Sequence, residues 1–196
     1  MARTKAFDEK AVLEHARDLF WEKGYAATSI GDLEKYLGIS RSSLYQTYGG
    51  KRELYDKTLA AYQEENLGRL RKMLANTDDL RGSFENLFSG AILQDAEAGP
   101  VRGCYVVNVT TEMASGCAEA LRFVSDNRER FVAIMRGAIE AAQRRGQLAP
   151  SADSQHLADY LFILYNGLQV VIKTGIDRVA LREAVLRGLE ALPWQA

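Results

Sequence analysis

The chain is poor in the residues that catalytic centres and secreted scaffolds depend on. Of its 196 residues, two are cysteine, two are histidine and three are proline. Two thiols cannot staple a small secreted fold or complete a four-cysteine zinc site, so a reducing setting is expected. His15 and His156 stand far apart in the chain. There is no HExxH, no CxxC, no Gly-rich phosphate loop, and no Ser/His/Asp order with a supporting motif. The sequence therefore gives an enzyme reading no support, and neither a metal nor a cofactor is expected. Long apolar runs are missing too. The longest uncharged stretch, Tyr160 to Ile172, falls short of the roughly 20 residues that cross a bilayer. No cationic start leads into an apolar signal run. A soluble, cytoplasmic protein is the expectation. Charge of one sign is also lacking: 25 Lys and Arg against 26 Asp and Glu leave a net charge of -1.

Hydrophobic residues make up 47% of the chain, enough for a real core. Their spacing is helical almost throughout. The organising stretch runs from Thr28 to Lys51. Thr28 or Ser29 can accept from the free amides of a helix start, and Ser29-x-x-Asp32 fits a capping box. Ile30, Leu33 and Leu37 give that helix one apolar face. Gly38 suits the left-handed residue after a helix end. Ile39 then plugs the corner, and Ser40 can cap a second helix over about Arg41 to Thr47, with Leu44 and Tyr48 inward. The pattern is a helix-turn-helix. Ahead of it, Asp8 opens a helix that reaches Lys23 and is closed by Gly24. The expected core of this unit is Val12, Ala16, Leu19, Phe20, Ile30, Leu33, Leu37, Ile39, Leu44 and Leu54.

Local charge suggests what the outer face meets. Between Lys35 and Arg52 lie Lys35, Arg41, Lys51 and Arg52 and no carboxylate. Cations, hydroxyls, a phenol and an amide beside a helix N-terminus can hold phosphate oxygens and read base edges. A small helical hairpin that packs another protein is the competing reading. Arg3 and Lys5 form a short basic tail that could reach a minor groove, although a solubilising end fits them as well.

The order Thr28 to Leu33, Leu37-Gly-Ile-Ser40, Leu44-Tyr-x-x-Tyr48 and Lys51-x-x-Leu54, behind an amphipathic helix, resembles the TetR/AcrR family of bacterial transcriptional repressors. The resemblance is specific over residues 7 to 60 and weak beyond. It implies an all-α, nine-helix, TetR-like fold. Residues 1–50 would form a three-helix DNA-binding domain, and residues 51–196 a ligand-binding and dimerisation domain. By position, Tyr45 and Lys51 match the family's phosphate-contacting pair, and Ser42, Ser43, Gln46 and Thr47 its groove-facing residues. With Thr28, Ser29, Arg41 and Tyr48 these are the candidate DNA-binding residues. Tyr48 and the Gly49-Gly50 pair depart from the family's usual residues.

A long helix is expected from Lys51 to about Met73, with a break at Asn76-Thr-Asp-Asp79. Further helices follow over Leu80–Gln94, Cys104–Ala114, Cys117–Arg145, Ser154–Thr174 and Arg178–Leu192, with Ala98 to Gly103 as the clearest loop. The 154–174 helix is apolar nearly all round. It reads as lying between its own domain and a partner subunit, with Leu181, Val185, Leu189 and Leu192 of the last helix as a matching interface stripe. A monomeric core explains the same stripes. Two recognition helices on such a dimer would sit about 34 Å apart, or a multiple of it, on a palindromic operator.

Candidate ligand-binding residues are Phe88, Cys104, Tyr105, Asn108, Phe123, Phe162, Tyr165 and Asn166, a mainly apolar set suited to a small, largely hydrophobic effector. The function implied is a ligand-responsive repressor that leaves its operator when the effector binds. Gly103-Cys104-x-x-x-Asn108 also resembles a motif in one branch of the family. That opens a second possibility, a thiol-based electrophile or redox sensor acting through Cys104. A buried packing cysteine is the plainer reading. Cys117, the other thiol, would lie about 20 Å away along a straight helix, beyond disulfide reach. An architectural DNA-binding protein without a ligand is the alternative from another class.

Overall fold

A computed structural model describes residues 7–75, 77–93 and 101–195. Arg3, Lys5, Asn76 and the first part of the expected 98–103 loop lie outside them. The described residues form nine α-helices: α1 (Glu9–Lys23), α2 (Ile30–Leu37), α3 (Arg41–Tyr48), α4 (Lys51–Leu74), α5 (Leu80–Leu93), α6 (Tyr105–Met113), α7 (Ala118–Arg144), α8 (Ser154–Val171) and α9 (Arg178–Glu190). The chain divides into two compact units, residues 1–64 and 65–196, with the division inside α4.

In the first unit local chemistry sets the helix ends. Asp8 accepts from the amides of Lys10 and Ala11 at 2.9 and 3.4 Å and starts α1. Ser29 and Asp32 form the reciprocal capping box of α2, at 3.0 and 2.8 Å. Asp32 also pairs with Lys23 at 3.0 Å. Its carboxyl is held well below the usual range, first by the Ser29 hydroxyl, then by the Ser29 amide and Lys23. Gly38 takes the left-handed conformation at φ 66° and turns the chain from α2 into α3. The Ser40 hydroxyl accepts from the Ser43 amide at 3.2 Å and caps α3. Nine of the ten expected core residues are buried, with Leu33, Leu44 and Leu54 at 0% exposure. Ile30, on the first turn of α2, is only half-buried. Trp21, Tyr48, Tyr55 and Tyr62 join this core, and edge-to-face pairs link Phe20 to Tyr55 and Trp21 to Tyr62.

The second unit packs α5, α7, α8 and α9 around Phe84, Phe88, Phe131, Met135, Ile139, Leu161 and Leu168. The end of the chain closes it. Trp194 bridges Leu148 in an isolated antiparallel pair, and its indole donates to the Leu189 carbonyl at 2.8 Å. Two expectations change here. α8 ends at Val171 and tightens into a 3-10 turn over Ile172–Thr174 before Gly175. The stripe of Leu181, Val185 and Leu189 on α9, with Leu192 just past its end, is not left for a partner, because all four are at most 6% exposed in the chain's own core. A stripe records that a helix face is buried, not by what. On the last two helices apolar surface is left open on α8 at Tyr160, Ile163, Val170 and Val171, which are 38, 69, 42 and 38% exposed, and on α9 at Val179, 65% exposed; Leu93 and Leu121, at 64 and 52%, are open elsewhere.

Candidate functional site

Burying Leu44 and Tyr48 turns the rest of α3 outward. Arg41, Ser42, Tyr45 and Gln46 are exposed, while Ser43 and Thr47 are half-buried at the edge of the same face. The Arg41 guanidinium lies 5.8 Å from the centre of the Tyr45 ring, pairing a cation with a phenol on one ridge. Ser43 is partly spent locally, with its hydroxyl 3.0 Å from that of Ser40. Ser29 is likewise occupied by the α2 cap.

Two candidate residues belong to the core instead. Thr28 is fully buried, and its hydroxyl donates to the Gly24 carbonyl at 2.7 Å. Tyr48 is 6% exposed and donates to the Glu9 carbonyl at 3.1 Å. Burial, with the nearby Glu9 and Asp8 carboxylates, pushes its phenol above the ordinary range and keeps it a neutral donor. The Thr28 side chain ties the α1–α2 corner, so the cap falls to Ser29 alone.

The positive side of the site is built by contacts that sequence spacing does not disclose. The Lys51 ammonium sits 4.2 Å from the centre of the Tyr25 ring, and the Arg52 guanidinium 6.0 Å from it. Tyr25 itself packs against Tyr55, its ring tilted by 48° at a centroid distance of 4.7 Å. The first-turn cation of α4 thus rests on an aromatic platform supplied by the α1–α2 link. Arg52 also donates to both carboxylate oxygens of Asp56 at 3.0 Å. Glu34, on the last turns of α2, accepts from the Arg41 amide at 2.6 Å. A side chain of the protein therefore occupies the first free amide of α3.

Within the second unit Tyr165 is a meeting point. Its ring packs on Phe88 at 5.6 Å and on Phe131 at 5.5 Å, and Phe131 meets Phe162 at 5.5 Å. Burial and then repulsion from Cys104 push the Tyr165 phenol above its ordinary range, while a hydrogen bond with Gln169 and nearby Arg69 act the other way. The Gly103-Cys-x-x-x-Asn108 motif has a structural account. Gly103 has φ 64°, and a Cβ there would stand 2.7 Å from the Gln169 carbonyl oxygen. Cys104 is the buried N-cap residue of α6, one position before the helix turn that the spacing predicts for it. Asn108 donates to the Arg102 carbonyl at 3.1 Å and accepts from Lys173 at 2.7 Å. The two cysteines are not joined in a disulfide.

A cavity of about 480 Å³ opens between α4, α5, α7 and α8, within the ~300–1,000 Å³ range of small-molecule sites. Of the eight candidate ligand residues, Tyr165 lines it. Phe88 is buried against Tyr165, and Phe162 is half-buried against Phe131. Asn166 spends its amide on the Phe162 carbonyl at 2.7 Å. Tyr105 is 1% exposed, and Phe123 is half-buried on α7. Sequence reasoning missed the α4 and α5 walls: Asn66, Arg69 and Met73 on one, Asn86, Leu87 and Leu93 on the other. Their apolar members read as ordinary helix core. Among the described residues no group of acidic, histidine and cysteine side chains could hold a metal ion, and no helix is long and apolar enough to cross a membrane.

A three-helix unit with an outward polar second helix of a helix-turn-helix, joined in sequence to a helical unit with its own core and cavity, defines a DNA-binding regulator rather than an enzyme. Residues 12–58 match the family model described as bacterial regulatory proteins, tetR family. Residues 84–186 match the tetracyclin repressor-like C-terminal domain. The chain belongs to the TetR family of transcriptional regulators. It is similar to the uncharacterized HTH-type transcriptional regulator YezE of Bacillus subtilis (strain 168), 29% identical over 98% of this chain and 100% of that protein. It is also similar to the HTH-type transcriptional repressor ComR of Escherichia coli (strain K12), 24% identical over 88% of this chain and 83% of that one. Among solved structures it resembles a cysteine mutant of the TetR family regulator CifR complexed with 26-bp double-strand operator DNA. That likeness has a TM-score of 0.86 and 29% identity over 97% of this chain and 100% of that one.

Proposed function

We propose that this protein is an effector-released repressor that binds a palindromic operator as a homodimer. The observation that carries this reading is the outer face of α3, where Arg41, Ser42, Tyr45 and Gln46 are exposed beside Lys51 and no carboxylate lies between Lys35 and Arg52. Ser42, Ser43, Gln46 and Thr47 face the major groove, while Tyr45 and Lys51 hold phosphates. The operator complex of the CifR mutant supports DNA as the partner. The open face of α8, Tyr160, Ile163, Val170 and Val171, is where a second copy docks. Contiguous apolar surface of this kind marks an interaction site. A small, largely apolar effector occupies the cavity floored by Phe131 and Tyr165. The test is fluorescence anisotropy on DNA flanking the gene, with and without a small-molecule library. A protected palindrome released by at least one compound is expected. Binding without sequence preference, insensitive to every compound, would instead indicate an architectural protein.

A second reading is favoured by one observation. Cys104 is the N-cap residue of α6 and follows Gly103, which lies against the Gln169 backbone on α8, the helix that carries Tyr165 of the cavity lining. In that reading an electrophile reacts with the Cys104 sulfur and releases the operator. Equal release of wild type and Cys104→Ser by a thiol-reactive compound returns Cys104 to packing.

A further inference from the structure

The cavity between α4, α5, α7 and α8 is not chemically neutral. Its floor is aromatic, made by Phe131 and Tyr165. At its rim Asn66 is half-buried and Arg69 and Asn86 are exposed, alongside the exposed apolar side chains of Met73 and Leu93. Among the described residues Arg69 is the single charged group lining it, and no carboxylate does. Arg69 pairs with Glu65, one turn earlier on α4, at 3.7 Å, with both side chains more than half exposed. Such a pair contributes little and is easily exchanged. A guanidinium presents parallel donors that match a carboxylate, and two amides beside it supply further donors. Arg69 also lies close enough to act electrostatically on the Tyr165 hydroxyl, so the cationic mouth and the aromatic floor belong to one space.

We propose that this cavity selects an organic monoanion, an aromatic or medium-chain carboxylic acid. Its carboxylate replaces Glu65 on Arg69 between Asn66 and Asn86, and its apolar body lies on Phe131 and Tyr165. This rests on the reading of the cavity as the effector site. A cationic ligand would face Arg69 with no described carboxylate in the lining to offset it. A ligand carrying several phosphates would find one guanidinium for several charges.

The probes are 4-phenylbutyrate and its neutral counterpart 4-phenylbutanamide, titrated calorimetrically into the full-length protein. The acid should bind at least about tenfold more tightly, which corresponds to ~1.4 kcal/mol. Arg69→Gln should abolish that preference and leave amide binding unchanged, whereas Arg122→Gln, on the exposed start of α7, should leave both unchanged. Should Arg69→Gln fold poorly, Glu65→Gln serves instead, and it should tighten the acid by freeing Arg69. Equal affinity for acid and amide, a preference that survives Arg69→Gln, no change on Glu65→Gln, or no binding of either probe would each overturn the proposal. Operator release is read separately. Acid that binds through Arg69 without releasing DNA contradicts the effector-release reading alone, and release by neutral compounds only contradicts the acid pocket alone.

Discussion

The ammonium of Lys51 lies 4.2 Å from the centre of the Tyr25 ring. The two residues come from opposite sides of the helix-turn-helix, one before α2 and one opening α4. A lysine on a flexible four-carbon stem loses entropy when it is ordered on a phosphate. Resting on a ring that is itself packed against Tyr55, it has lost part of that freedom before DNA arrives. Lys51→Ala should weaken binding to all sequences alike and lower the salt slope by about 1. Tyr25→Leu should weaken it in the same uniform way but less, with the slope intact because no charge is lost. Anisotropy titrations over a salt series separate the two variants.

Gly103 predicts a stability effect far from DNA. Its backbone is left-handed, and an added Cβ would meet the Gln169 carbonyl oxygen at 2.7 Å. Gly103→Ala should lower unfolding free energy by about 1–3 kcal/mol. Gly90→Ala, on α5 where nothing lies within 4 Å of an added Cβ, should be neutral or slightly stabilising in the same denaturant titration.

Asp32 links stability to pH. Its carboxyl is depressed in the folded state by Ser29 and Lys23, so its contribution is present above the ordinary carboxylate range. That contribution declines as pH falls below the ordinary range and is fully lost only once pH passes the depressed folded value. Asp32→Asn should lower the melting temperature at neutral pH, and the gap to wild type should narrow in acid. A gap that widens on acidification would mean the carboxyl is not held ionised by these partners.

The exposed face of α8 predicts the oligomeric state. Ile163→Glu with Val170→Glu places two charges on open apolar surface, so monomer folding should be little affected while self-association is lost. Sedimentation of wild type and the double variant reads this directly. A wild type that is already monomeric at micromolar concentration would exclude the assigned dimer face.

Legibility in the sequence followed the range of the interactions. The Ser29–Asp32 box, the Gly38 turn and the Ser40 cap are each made within a few residues, and the sequence announces them. The outward side of α3 was readable because Leu44 and Tyr48 define its inward side. Tyr48 was assigned both ways, and its bond to the Glu9 carbonyl, 39 residues away, decides for the core. Glu34 on the Arg41 amide, Tyr25 beneath Lys51, and Lys173 on Asn108 across 65 residues have no local signature. The cavity walls were missed for a related reason. Periodicity marks Leu70 and Leu87 as inward but cannot tell a filled interior from one with space in it. The same limit assigned the α9 stripe to a partner when α5 and the chain's own core cover it.

The most direct test of DNA reading by α3 is a binding selection from randomised duplexes with wild type, Lys51→Ala and Gln46→Ala. Wild type should enrich a palindrome with half-sites about one helical turn apart. Lys51→Ala should retain that consensus at lower affinity, and Gln46→Ala should change the preferred bases within each half-site. A consensus altered by Lys51→Ala but untouched by Gln46→Ala would contradict the docking, and no enriched sequence at all would contradict the regulator.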